Sequence, residues 1–162
     1  MASRRSGPLK AVPRRAYRIA DRRRTIFDGQ GAATFGGRWN SPGRRVIYAA
    51  ETYAGAMLEM LANSNIGRVP KHHAWIEILI GEDASVEELD ARKVRRLDAP
   101  DQRASRMFGD EWYDQKRSTV LIVPSTVVRV ERNVVINQEH PGFRKLRATH
   151  SKPVVWDQRL FR

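Results

Sequence analysis

Apolar and polar positions along this chain follow two different periods. Residues 74–80 set Ala74, Ile76, Ile78 and Ile80 against Trp75, Glu77 and Leu79, a period of two that predicts a strand. Short apolar runs at 16–20 and 46–50 predict two more strands. Ala54, Met57, Leu58 and Leu61 recur at i, i+3, i+4 and i+7, which predicts a helix over 52–63, capped by Thr52, with those four residues as its buried stripe. Residues 101–116 predict a second, polar helix. Two β-rich runs follow at 119–123 and 126–130, separated by Pro124-Ser125, then others at 133–136 and 154–156. Residues 28–43 are expected to form a glycine-rich loop, and 81–100 a charged loop with at most a short helix. Strands outnumber helices and their order is irregular. That predicts an α+β fold with a mixed, largely antiparallel sheet and a few helices, not a βαβ series.

Composition narrows the class. The 162 residues, 41% of them apolar, suit one globular domain. It is expected over 16–162, behind a basic, mobile extension over 1–15 that contains Gly7, Pro8 and Pro13. There is no cysteine, which excludes disulfides, thiolate zinc sites and cysteine nucleophiles and fits a reducing compartment. No apolar run approaches the roughly 20 residues that span a bilayer. No apolar stretch follows the basic start as in a secretory signal, so a cytoplasmic location is expected. The net charge is +12, and the first 24 residues hold nine basic side chains against the single acid Asp21. Such a charge attracts anions: nucleic acid, an acidic protein or a phosphorylated small molecule.

Several residues suit chemistry, although each taken singly also reads as structure. In Gly36-Gly37-Arg38-Trp39-Asn40, two glycines permit a sharp turn or a close approach to a ligand. Arg38 then presents a fork to phosphate or carboxylate, Trp39 an aromatic face, and Asn40 a donor and an acceptor. The same run also fits a turn with a core tryptophan. It is neither a Walker loop nor a dinucleotide fingerprint. Glu59 points away from the apolar stripe toward Thr52, Gly55, Ala56 and Asn63, which leaves room for a ligand, although a polar helix face is ordinarily just solvated. Tyr48 lies mid-strand, where a core tyrosine is the plain reading. Ser118 and Ser125 have no histidine at a triad-like distance, and His72, His73, His140 and His150 lack metal-ligand spacing, so no metal site is expected.

The order of these elements resembles the RES domain family. Tyr17-Arg18-Ile19-Ala20 and Gly36-Gly37-Arg38-Trp39-Asn40-Ser41-Pro42-Gly43 look like its opening signature. Val46-Ile47-Tyr48-Ala49-Ala50, then Ala56-Met57-Leu58-Glu59, continue it, and 118–125 is similar to its serine-containing element, with Ser125 the best fit to the family serine. Asn137-Gln138-Glu139-His140-Pro141 resembles an Asn-Pro-x-His-Pro stretch with Gln138 in place of proline, and 157–161 resembles family C-termini.

The resemblance implies a fold similar to that of ADP-ribosyltransferases. It also implies a bacterial toxin that cleaves NAD⁺ at the nicotinamide–ribose bond, with phosphate or water as acceptor, and causes growth arrest. NAD⁺ would be the substrate, inorganic phosphate the co-substrate, and no further cofactor is implied. The implied partner is a helix-turn-helix antitoxin of the Xre type, in a complex with the toxin as homo-oligomer, and the antitoxin rather than this chain would contact DNA. Arg18, Arg38, Tyr48 and Glu59 are the implied catalytic residues, and Ser125, Ser118, Trp39 and Asn40 the implied substrate-binding ones. Bond cleavage leaves a cation-like ribose that Glu59 would stabilise, while Arg18 and Arg38 would clamp pyrophosphate or phosphate. Two alternatives stay open: an ADP-ribosyltransferase acting on a protein, and a non-enzymatic, basic nucleic-acid-binding module.

Overall fold

The computed structural model describes residues 10–64 and 67–162. Among the described residues eight strands form one sheet: β1 (Arg15–Asp21), β2 (Val46–Ala50), β3 (His73–Leu79), β4 (Val86–Glu88), β5 (Val120–Pro124), β6 (Arg132–Asn137), β7 (Arg147–Ala148) and β8 (Lys152–Pro153). Their order is β4-β5-β6-β2-β1-β3-β7, with β8 also on β3. The β4–β5 pair is parallel and the others are antiparallel, so the α+β class with a mixed, largely antiparallel sheet holds. Among the described residues three α-helices accompany it: α1 (Gln30–Phe35), α2 (Tyr53–Asn63) and α3 (Arg103–Asp114). None is long and apolar enough to cross a membrane. Of the basic extension expected over 1–15, residues 1–9 lie outside the described residues, and the chain enters β1 at Arg15.

The sheet is covered on both faces at its centre. Ile47, Ile76, Ile78, Ile122, Val134 and Ile136 make one apolar layer. Val46, Leu121, Val123 and Val135 face the other way, under Trp39 and Trp112. This explains why β5 reads as an unbroken apolar run rather than an alternation: Val120, Leu121, Ile122 and Val123 are all at most 1% exposed. The sheet opens between β1 and β2. β1 pairs with β3 along its whole length but meets β2 only at Tyr17↔Ala50.

Several local expectations are corrected. Residues 126–130 form a turn, not a strand: Ser125 N donates to Glu131 O and Glu131 N to Val128 O, closing the hairpin from β5 to β6. Val130, 77% exposed, has no sheet to join there. At the C-terminus the strand is Lys152–Pro153, whereas 154–156 leaves the sheet and Trp156 packs on His73 and Phe161. The glycine-rich segment contains α1, and 81–100 contains β4 and turns but no helix. The predicted stripe of α2 is out of phase. Ala54 and Leu58 are exposed, and Gly55 and Ala56 are buried. Small residues let this helix lie close on β1 and β2, where Ala56 packs with Ile19 and Ala50. Close approach decides the phase here more than side-chain hydrophobicity does.

Candidate active site

A cleft of about 540 Å³ runs over β2 and into the opening beside β1. One wall is α1 with the turn at Gly36–Trp39. The other is α2 with the start of the β5–β6 hairpin.

Arg18 occupies the fork between the parted strands. Its Nη1 donates to Tyr48 O (2.9 Å) and its Nε to Ile26 O (2.7 Å). β1 does not pair with β2 at Tyr48, so that carbonyl would otherwise lack a strand partner. Burial lowers the Arg18 pKa, opposed by the negative charge of Asp28. No carboxylate of the described residues lies within ion-pair distance of it. A half-buried guanidinium whose hydrogen bonds go to carbonyls, and which borders a cleft, has unspent attraction for an anion.

Tyr48 ties the Arg38 turn to the sheet. Its hydroxyl donates to Asn40 Oδ1 (2.6 Å) and accepts from Trp39 N (3.0 Å). Burial raises its pKa, so the phenol stays protonated and is no base. Its proton is committed to Asn40 and is not free to reach a ribose; its ring lines the cleft. A Cβ at Gly37 would fall 2.7 Å from the Tyr48 hydroxyl, so glycine is what lets the turn rest on the ring. Asn40 is fully buried and donates to Ala32 O and Ser41 O, which places it behind the cleft rather than in its wall. Trp39 does line the cleft, but its ring packs edge-on against Phe108. From the outside, α3 clamps the same turn: Asp110 accepts from Ser41 N and Ser41 Oγ, and a Cβ at Gly109 would meet Trp39 O at 1.8 Å. Thus held, Arg38 keeps one hydrogen bond, Nη1 to Leu97 O (3.1 Å), and borders the cleft.

Glu59 lines the same cleft as Arg18 and Arg38, from the α2 wall. Ser125 Oγ (2.9 Å) and Asn133 Nδ2 (2.7 Å) both donate to its Oε1, and Asn63 Nδ2 reaches Oε2 at only 3.5 Å. One carboxylate oxygen is fixed by two neutral donors and the other is left largely free. Among the described residues no cation pairs with Glu59, so its charge remains available to a ligand.

Residues 15–157 match the RES domain. The chain belongs to the RES domain family. A protein of Sphingobium sp. (strain YBL2) named Prs ADP-ribosylating toxin is 34% identical over 154 residues, covering 90% of this chain and 96% of that protein. A Yersinia enterocolitica protein named Toxin Res is 32% identical, covering 89% and 97%. Among solved structures, the M. tuberculosis MbcT-MbcA toxin-antitoxin complex contains a chain with a TM-score of 0.69 at 21% identity, covering 91% of this chain and 86% of that one, which marks a shared fold.

In this RES domain the two candidate serines part company. Ser125 Oγ donates to Glu59 and accepts from Val128 N (2.9 Å), so it positions the carboxylate and does not form the cleft wall. Ser118 lies at the far end of β5. There it accepts from Trp112 Nε1 and donates to Val120 O, both at 2.8 Å, inside the core and away from the cleft. Asn133 was not singled out by sequence reasoning. It is an ordinary polar residue at a strand start, and only the register that sets it beside Ala50 and Val123 brings it to Glu59.

Proposed function

We propose that this RES domain is a toxin that cleaves the nicotinamide–ribose bond of NAD⁺, with inorganic phosphate as acceptor. One observation carries the reading: one cleft is lined by a carboxylate, Glu59, and a half-buried guanidinium, Arg18, neither of which has an oppositely charged partner among the described residues. The relatives named as toxins support it, and the Sphingobium name points to ADP-ribosyl chemistry. In the reaction the C–N bond breaks and its electron pair returns to the pyridinium nitrogen, releasing neutral nicotinamide. The ribose carbon becomes cation-like. Oε2 of Glu59 stabilises that charge or holds a ribose hydroxyl. A phosphate oxygen then bonds to the same carbon, giving ADP-ribose 1″-phosphate. Arg18 and Arg38 hold the pyrophosphate and orient the incoming phosphate. The antitoxin is an Xre-type helix-turn-helix protein that binds this chain, as homo-oligomer, and supplies the DNA contacts. The toxin–antitoxin complex among the structural neighbours supports such a partner.

A second reading puts a protein side chain in the acceptor's place, and the name of the Sphingobium relative favours it. Mass spectrometry after incubation with NAD⁺, with and without phosphate, decides. Phosphate-dependent ADP-ribose 1″-phosphate is the expected product. ADP-ribose attached to protein would establish the second reading, and no nicotinamide release would overturn both.

A further inference from the structure

Two residues that line the cleft, Phe35 and Gln102, have features that the reaction at Glu59 does not explain. Phe35, the last residue of α1, borders the cleft yet is 79% exposed, an aromatic ring left in water at its lip. Gln102 precedes α3 with φ 57°, ψ 12°, in the left-handed region that glycine adopts without strain. Arg96, Gln102 and Lys116 are the non-glycine residues described with positive φ, and of these only Gln102 lines the cleft. Its carboxamide does not cap the helix it precedes. A left-handed backbone at a non-glycine residue that lines a cleft, with its side chain not engaged in capping, points from conformation to ligand.

The two residues flank the same turn. Phe35 leads directly into Gly36-Gly37-Arg38, and Arg106, one helical turn beyond Gln102, donates to Gly37 O at 3.4 Å. Glu59 belongs to the opposite wall: its partner Asn133 pairs with Ala50 at the end of β2, whereas Gly37 rests on Tyr48. We infer that Phe35 and Gln102 form a subsite for the purine base of an adenine nucleotide, with Arg38 beside it for the phosphates. The inference rests on the cleft being the NAD⁺ site. An exposed ring gives a base a face to stack on. A carboxamide offers one donor and one acceptor, the pattern that matches N6 and N7 of adenine.

The test titrates AMP into the full chain and into Phe35→Ala and Gln102→Gly, with the Tm of each recorded. Gln102→Gly suits the left-handed backbone, so its Tm is expected to stay level or rise while its amide is lost. AMP affinity is expected to fall about tenfold in each variant, the scale of one lost base contact. Inosine monophosphate, with a carbonyl in place of the adenine amine, is expected to bind the unaltered protein more weakly than AMP, and Gln102→Gly to remove that difference. Equal AMP binding by all three proteins, or none by the unaltered one, overturns the subsite. Nicotinamide release from NAD⁺ is measured in parallel. If AMP binding follows the variants while NAD⁺ stays intact, the subsite stands and the proposed reaction falls.

Discussion

The segments flanking the two ends of β5 carry the same residue type at nearly the same burial: Ser118 is 3% exposed and Ser125 5%. At the Ser118 end, an indole N–H, a hydroxyl and a backbone carbonyl form a neutral chain that closes within the core. At the Ser125 end, a backbone N–H and a hydroxyl lead to a carboxylate bordering the cleft. The difference lies in where the hydroxyl proton goes. Given to a carbonyl, it completes packing; given to Glu59, it orients a charge and leaves the second oxygen for a ligand. Burial and residue type alone do not separate a structural serine from one that serves a site.

Substitutions separate the two ends of the strand. The largest effect is expected from Glu59→Gln, which keeps the shape and removes the charge: nicotinamide release should fall about 10²- to 10³-fold, with Tm nearly unchanged, if the carboxylate stabilises the cation-like ribose. Turnover retained in a folded Glu59→Gln protein would remove Glu59 from the chemistry. Ser118→Ala strands the Trp112 N–H in the core and is expected to lower unfolding stability by about 1–3 kcal/mol, read by denaturant titration, with turnover per folded molecule unchanged. Ser125→Ala should show the reverse balance: turnover down about tenfold, as a misplaced group costs, with a smaller stability loss because Glu59 Oε1 keeps its bond from Asn133. If the two alanine variants lose turnover equally once folded fractions are matched, the two ends of β5 are not functionally distinct. The smallest effect sharpens the structural end: Trp112→Phe should cost less on the Ser118→Ala background than on the unaltered one, by about 0.5–1 kcal/mol in a double-mutant cycle.

Strand periodicity in 74–80 and the apolar runs at 46–50 and 119–123 were legible because a strand's burial follows from its own residues once both faces are covered. The second run, at 126–130, was not, because the hairpin bonds that turn the chain back into β6 depend on where β6 lies. In the same way the apolar spacing places α2 correctly in the chain and wrongly in rotation. Gly55 and Ala56 carry little hydrophobic signal, yet small residues are what permits the helix to sit on the sheet. At the site, Arg38 was marked by the glycines beside it and Glu59 by the small residues on its helix face. Asn133 had no such mark.

By itself, then, the sequence determined the class of fold, the family signature and the two charges of opposite sign, Arg38 and Glu59, since these depend on local pattern and residue type. Only the tertiary structure decided what each polar group faces. It parted β1 from β2 and put Arg18 in the fork, engaged the Tyr48 hydroxyl with Asn40, sent Ser118 to the core, and joined Ser125 and Asn133 on one oxygen of Glu59. Each of those partners lies more than seven residues away in the chain or across a strand register, except the Ser118–Trp112 pair six apart, and a hydrogen bond is decided by ångströms that no local pattern encodes.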